Sequence, residues 1–340
     1  MIVSGTPAAP PRSRLSIVVD VRRSSPWRGW AGSERLAAML LAVLAVLAFS
    51  SAASGCAAAS RQDASEELRA RGEAMARITA ADRRLASLDR FEATGTAVLP
   101  VRNPDGAIEE EQLDLLILRE RPGRLAVRLK LSVTDTLAWL GSDGARWWLF
   151  LPEETPPTVW HGPVDPDGGA STPEDRIPLP PTLRRPMLVD LLLGLEPVGE
   201  FAALAWDASS QRWWIEGPIA AAGTASTAGW TVRRGYARDG SVPEVVEVRD
   251  PAGDLVARSR LSNHARVEVP DRAVGDWPMV PMRIELAGPA DEGSDEAPAV
   301  RLALERPSGR GRRVKAAAFD WDRLLRAMRP ERVVDAGAAP

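Results

Sequence analysis

The sequence predicts a mainly β protein, a long antiparallel sheet accompanied by a few helices. Three observations carry this. Between Phe91 and Glu305, short segments that alternate apolar and polar residues recur, with clusters of Gly, Pro, Asn and Asp between them. Helical periodicity is confined to residues 65–88, 186–195 and 321–328. Nowhere do strands alternate with regularly spaced helices, as a parallel α/β fold requires.

The N-terminal part has a different character. Leu36 to Phe49 is an apolar run preceded by Arg22, Arg23, Arg28 and Arg35. It is shorter than the roughly 20 residues needed to span a bilayer, and the small residues Ser51 to Gly55 follow it. That layout predicts a signal peptide over 1–55, with an n-region long enough to leave the translational start open. The chain's one cysteine, Cys56, comes next and would be the first mature residue. Residues 56–64 read as a tether.

From Ser65 the pattern turns helical. Leu68, Met75, Ile78, Leu85 and Leu88 form one apolar stripe behind an acidic, cappable start at Asp63, Ser65, Glu66 and Glu67. Strands are predicted over Phe91–Leu99 and Gln112–Arg119, separated by an Asn103-Pro104-Asp105-Gly106 turn. Arg121-Pro122-Gly123-Arg124 then leads into Leu125–Leu131, where apolar residues alternate with Arg128 and Lys130. Thr136–Leu140 and Arg146–Leu151 pair around Ser142-Asp143-Gly144. Because neighbouring strand residues point to opposite faces, Trp147 and Trp148 must belong to different layers.

Prolines and glycines dominate from Pro152 to Pro186, predicting a long loop. Met187, Leu188, Leu191, Leu192 and Leu195 then mark a short amphipathic helix ended by Gly194 to Pro197. Strand signals resume at Phe201–Asp207, Gln211–Glu216, Trp230–Tyr236, Pro243–Arg249, Leu255–Leu261, His264–Val269, Met282–Leu286 and Val300–Glu305, with an acidic loop at Asp291–Glu296. A last helix, Trp321–Met328, stops before Pro330, and Val333–Pro340 reads as a loose tail.

Composition narrows the function. The 340 residues carry a formal charge of −3, and loss of residues 1–55, with six Arg and two acidic residues, takes it to −7. An acidic exported domain is a poor nucleic-acid binder. With one cysteine the chain has no internal disulfide. His161 and His264 are the only histidines and no ligand set accompanies them, so no metal or other cofactor is expected. Acidic groups such as Asp165/Asp167 and Glu109–Glu111 read as solvated surface, and calcium at Asp165, Asp167 and Asp175 does not fit a regular loop. Without a nucleophile signature, phosphate cradle or dinucleotide fingerprint, no catalytic residue is assigned and the chain is not read as an enzyme.

Ser54-Gly55-Cys56 resembles the lipobox of bacterial lipoproteins, with Ala53 where leucine is usual. The resemblance implies acylation of Cys56 and a lipid anchor; ordinary cleavage after Ala53 is the alternative. The signal, the amphipathic helix, Arg121-Pro-Gly-Arg124 with its alternating strand, Trp139-Leu-Gly-Ser-Asp-Gly-Ala-Arg-Trp-Trp148 and the Pro186–Gly194 helix together resemble the LolA/LolB superfamily of lipoprotein carriers. That likeness implies a strongly curved antiparallel sheet forming a half-open barrel over 65–290, with the N-terminal amphipathic helix and the second short helix as its lid. Residues 291–340, with the acidic loop, the last strand and the C-terminal helix, have no counterpart in that likeness and are either an addition to the same domain or a further part.

The resemblance also implies an apolar cavity that takes acyl chains of lipoproteins or phospholipids. Met75, Ile78, Trp139, Trp148, Phe150, Leu188, Leu191 and Trp213 are its candidate lining, although aromatics on strands more often simply fill a core. The implied function is lipoprotein or lipid transfer to the outer membrane by a protein anchored to a membrane facing the periplasm, the outer one by preference. A non-catalytic structural or interaction lipoprotein of the envelope is the alternative, and no protein partner is identified.

Overall fold

The computed structural model describes residues 66–102, 108–131, 136–164, 183, 186–198, 203–219, 229–288 and 300–335. The expected signal peptide, Cys56, the tether, the 103–106 turn, Asp165, Asp167, Asp175 and the 291–296 loop lie outside these residues.

Helix α1 spans residues 66–86 and is followed by a 13-residue hairpin pair, β1 (Arg90–Arg102) and β2 (Ile108–Glu120). Next come β3 (Arg124–Lys130), β4 (Thr136–Asp143), β5 (Arg146–Leu151) and β6 (Thr158–Pro163). Helix α2 (Pro186–Leu192) leads to β7 (Ala203–Asp207), β8 (Arg212–Pro218), β9 (Thr231–Tyr236), β10 (Pro243–Arg249) and β11 (Leu255–Ser262). The short β12 (Ala265–Arg266) and β13 (Met279–Val280) pair with each other, and β14 (Arg283–Ala287), β15 (Val300–Ser308), α3 (Trp321–Met328) and β16 (Arg332–Asp335) complete the chain.

Fourteen strands form one sheet in the order β16-β6-β5-β4-β3-β2-β1-β15-β14-β11-β10-β9-β8-β7. Every neighbouring pair is antiparallel except β16 with β6. The sheet is open, with β16 and β7 as its two edges. Strand β15 is far from both, between β1 and β14, so the late segment is built into the middle of the sheet.

Helix α2 reveals the curvature. It packs against β4 and β5 and also against β10 and β11. In the sheet order β3, β2, β1, β15 and β14 separate β4 from β11. Six interstrand spacings of about 4.8 Å would put them about 29 Å apart in a flat sheet. A helix about 10–12 Å across reaches both sides only if the sheet wraps around it. The concave face is thus the inner one.

Strand parity sorts the side chains. Phe91, Leu113, Leu115, Ile117, Leu125, Val127, Leu129, Leu140, Trp147 and Leu149 face inward, continuing through Leu302, Ile284, Leu261 and Val246. Leu188, Val189, Leu191 and Leu192 of α2, with Leu193 and Leu195 beyond it, fill the middle of this surface. Gly194 turns the chain out of α2 at φ +69, a left-handed conformation suited to glycine, and a Cβ there would meet Leu261 Cδ1 at 2.6 Å.

The outer face of β2–β6 is apolar as well. Leu118, Ala126, Trp148, Phe150 and Val159 are covered by Val314, Phe319 and Leu324 of the C-terminal segment. Asp320 caps α3 by accepting from the Arg323 N–H at 3.0 Å, and Arg329 ends it in a left-handed conformation.

Two expectations need correction. The proline-rich stretch is not all loop: Thr158-Val-Trp-His161 is rich in strand formers and pairs with β5 as β6. The tail is not loose over Val333–Asp335 either, because Arg332–Asp335 adds to β6 as the parallel edge strand β16.

Candidate functional site

The interior that α2 occupies is apolar apart from Arg234 on β9 and a set of charges gathered around Arg119 on β2. Arg119 is on the inner face of β2, two residues beyond Ile117, and is 1% exposed. It donates from Nε to Asp190 Oδ1 of α2 at 2.7 Å and from Nη2 to Glu196 Oε1. Arg121 donates from Nη2 to the other oxygen of Glu196 at 3.3 Å and from Nη1 to the Ala86 carbonyl at 3.0 Å. Burial, reinforced by the adjacent Arg119 charge, pushes the Arg121 guanidinium down to about 10, against the opposing pull of Asp190, Asp89 and Asp82.

Two further polar ties flank α2. The Ser259 hydroxyl donates to the Leu192 carbonyl at 2.7 Å, and the Val198 N–H donates to Asp82 Oδ1 of α1 at 2.7 Å. A seven-residue helix has little stability of its own. Its position therefore depends on the apolar contacts of its leucines and on these few ties.

At the β7–β9 end, Ala74 and Ile78 of α1 pack on Leu204, Trp213, Ile215 and Tyr236. A small cavity of about 20 Å³ lies beside this cluster, bounded by Asp82, Leu85, Gly194, Tyr236, Ser241 and Met279. Burial raises the Tyr236 phenol, and the positive charge of Arg234 works against that shift.

The candidate lining residues divide into three groups. Leu188 and Leu191 are in the central interior. Met75, Ile78 and Trp213 meet where α1 covers β7–β9. Trp139, Trp148 and Phe150 are on the outer face, Trp148 and Phe150 buried and Trp139 partly so, packed with the C-terminal segment. The first two groups share the inner face; the third cannot join them, because Trp148 pairs with Gly141 and Phe150 with Trp139 at positions of the opposite parity to Leu140 and Leu149. Trp321 of α3 lies against Trp148 and His161, with ring centroids 6.3 and 5.0 Å away, and under Arg146 at 5.3 Å. An open cleft of about 1060 Å³ beside Trp321 is edged by Arg124, Asp143, His161, Arg323 and Asp335.

Sequence reasoning passed over Arg119, Asp190, Glu196 and Arg234. A signal was available: Arg119 continues the period-two series Leu113, Leu115, Ile117, and Arg234 stands between Val232 and Tyr236 in the same way. Among the described residues no group of three or more His, Cys, Asp or Glu could hold a metal ion, and no helix is long and apolar enough to cross a membrane.

No family model matches the chain, and no curated protein matches it. Solved structures similar to it include members of the LolA superfamily, of the outer membrane lipoprotein-sorting proteins and of the DUF1329 family. A LolA superfamily protein from Nitrosomonas europaea is 14% identical, with TM-score 0.40 over 69% of this chain and 92% of its own. A domain from Vibrio parahaemolyticus described as an outer membrane lipoprotein-sorting protein gives the same values: 14%, 0.40, 69% and 92%. A DUF1329 family protein from Desulfovibrio piger is 11% identical, with TM-score 0.39 over 74% of this chain and 98% of its own.

Proposed function

We propose that the protein is a periplasmic lipoprotein, anchored through acylated Cys56 in the outer membrane, that binds an acyl chain of a lipoprotein or phospholipid inside its curved sheet and takes part in lipoprotein or lipid transfer. The observation that carries this reading is the seat of α2. Leu188, Leu191 and Leu192 occupy the concave face, and the helix is short and held by a few polar ties. Displacing it would uncover an apolar trough between Leu129, Leu140 and Leu149 on one side and Val246, Ala257 and Leu261 on the other. An acyl chain would replace the buried leucines with hydrocarbon of the same kind, at little net cost in apolar contact. Trp213 extends the same inner face, where Met75 and Ile78 of α1 cover it; Trp139, Trp148 and Phe150 fall outside this part of the reading.

Native mass spectrometry of protein purified from a bacterial envelope, followed by organic extraction, tests it. Co-purifying phospholipid or acylated peptide, lost when Leu191→Trp fills the trough, is the expected result. Protein that is empty in every preparation and does not bind a fluorescent acyl probe would sink it.

The packing of α2 also favours a second reading. With the interior filled by side chains, the same fold serves as a structural or interaction lipoprotein of the envelope that holds no ligand. Acyl binding separates the two, since the second reading requires none.

A further inference from the structure

Arg234 is 1% exposed, on the inner face of β9, directly across from Ile215 of β8 and Val246 of β10. Its Nε, Nη1 and Nη2 are all buried with no partner at full hydrogen-bond distance, and the neighbouring Tyr236 hydroxyl, which interacts with it, is neutral and supplies no anion. This differs from Arg119, which meets two carboxylates, and from Glu247 on the outer face, which is ion-paired with Arg233, Arg249 and Arg258. A guanidinium is effectively always charged and carries five N–H donors, so an interior site without an anion is among the most costly places to put one. One water does not resolve this. The cavity beside Tyr236 measures about 20 Å³, room for about a single water with two to four hydrogen bonds.

The surroundings say what kind of partner fits. Arg234 is flanked along β9 by Val232 and Tyr236 on the same face, and the α2-to-Gly194 turn lies over Val246 beside it. An apolar trough that ends at a buried, forked cation suits a molecule with a hydrocarbon tail and an anionic head. Carboxylate and phosphate both match the planar fork in bidentate fashion.

We propose that Arg234 binds the anionic headgroup, a carboxylate or a phosphate, of an amphiphile whose acyl chain occupies the space filled by α2. This rests on the acyl-binding reading above and adds a headgroup requirement to it. A neutral lipid would leave the guanidinium as it is, so the protein should select against one.

Displacement of the neutral fluorophore N-phenylnaphthylamine from the purified protein tests this with two matched pairs: lauric acid against methyl laurate, and dilauroyl phosphatidic acid against dilauroylglycerol. The charged member of at least one pair should bind about tenfold more tightly, and the pair that shows the preference identifies carboxylate or phosphate as the head. In Arg234→Met the ratio should fall to about one, and Arg234→Lys should restore part of it. The ligand-free Arg234→Met protein should melt several degrees higher, because an unpaired buried charge has gone; a sharp fall in Tm would mean that Arg234 has a structural partner and would overturn the proposal. Equal affinities within both pairs, or a preference that survives in Arg234→Met, would overturn it while leaving acyl binding intact. No binding of any of the four lipids would defeat the acyl-binding reading and this proposal with it.

Discussion

Arg119 and Asp190 join the sheet to the helix inside it: the guanidinium Nε–H meets the carboxylate at 2.7 Å, with side-chain exposures of 1% and 11%. Removing one partner of a buried pair strands the other, typically at about 3–5 kcal/mol. Glu196 still faces Arg119 when Asp190 is neutralised, so Asp190→Asn should cost less, about 2–3 kcal/mol by the same argument. Arg119→Met should cost more, because Asp190 and Glu196 both lose that cation. The double variant Arg119→Met/Asp190→Leu should recover most of the loss, giving a coupling term in a double-mutant cycle of urea denaturation midpoints. Hydrogen exchange should also quicken across residues 186–192 in Asp190→Asn. Unchanged exchange there would mean that the leucines alone hold α2.

Gly95 marks the join between the early and late parts of the sheet. A Cβ at this position would lie 2.0 Å from the Ala303 carbonyl oxygen and 3.0 Å from its carbon, both backbone atoms that cannot rotate away. The β1–β15 register shifts nearby, between Glu92 and Thr94. Gly95→Ala should therefore separate β1 from β15 and prevent cooperative folding or lower the melting temperature by well over ten degrees. Circular dichroism thermal melts check this, with Gly72→Ala as the control, since nothing lies within 4 Å of a Cβ at Gly72.

Much of this architecture was legible in local sequence pattern. The helix Trp321–Met328 is legible to the residue, stopping before Pro330, and the structure adds the Asp320 cap that starts it. The division of Trp147 from Trp148 followed from strand parity, with one inside and the other under the C-terminal segment. Pairing order was not legible. Nothing in Val300–Ser308 announces that β15, besides pairing with the preceding β14, lies against β1, because that neighbour choice depends on contacts about two hundred positions away. The grouping of the site residues failed to emerge for a related reason. Aromatic content suggested one lining, but which face each strand turns inward was set by the curvature around α2, and that put Trp139, Trp148 and Phe150 on the far side.

The C-terminal segment should contribute to stability out of proportion to its length. Leu324 is 3% exposed in the outer cluster with Trp148, Phe150 and Phe319. Leu324→Ala should cost about 3 kcal/mol, the middle of the range for buried leucine truncations. Its neighbour Leu325 is only partly buried, so Leu325→Ala should cost about half as much by the same scaling. Arg323 and Arg326 are already exposed, and loosening α3 frees the backbone beside them for trypsin. Limited proteolysis should cut there faster in Leu324→Ala than in the parent; equal rates would show that β16 alone retains the segment.

Stability should fall as the solution is acidified below neutrality, in part because of the two histidines. His161 is held below its ordinary 6.5 by burial, with Arg146 adding to the effect and Asp335 opposing it. Burial likewise lowers His264, opposed by the hydrogen bond with the Pro243 backbone and by Glu244, and its Nε2 is buried without a partner. Between those depressed values and 6.5 the unfolded chain binds more protons than the folded one, so unfolding takes up protons and acid favours it. The contribution is fully present above 6.5 and disappears as the pH drops through the folded-state values. The melting temperature should accordingly be lower at pH 5 than at pH 7.5, and the difference should shrink in His161→Gln/His264→Gln. An unchanged difference in that variant would show that neither histidine carries the acid sensitivity in this range; Asp207, which two serine side chains hold well below the usual carboxylate range, loses its contribution only in more acid solution, below about pH 4.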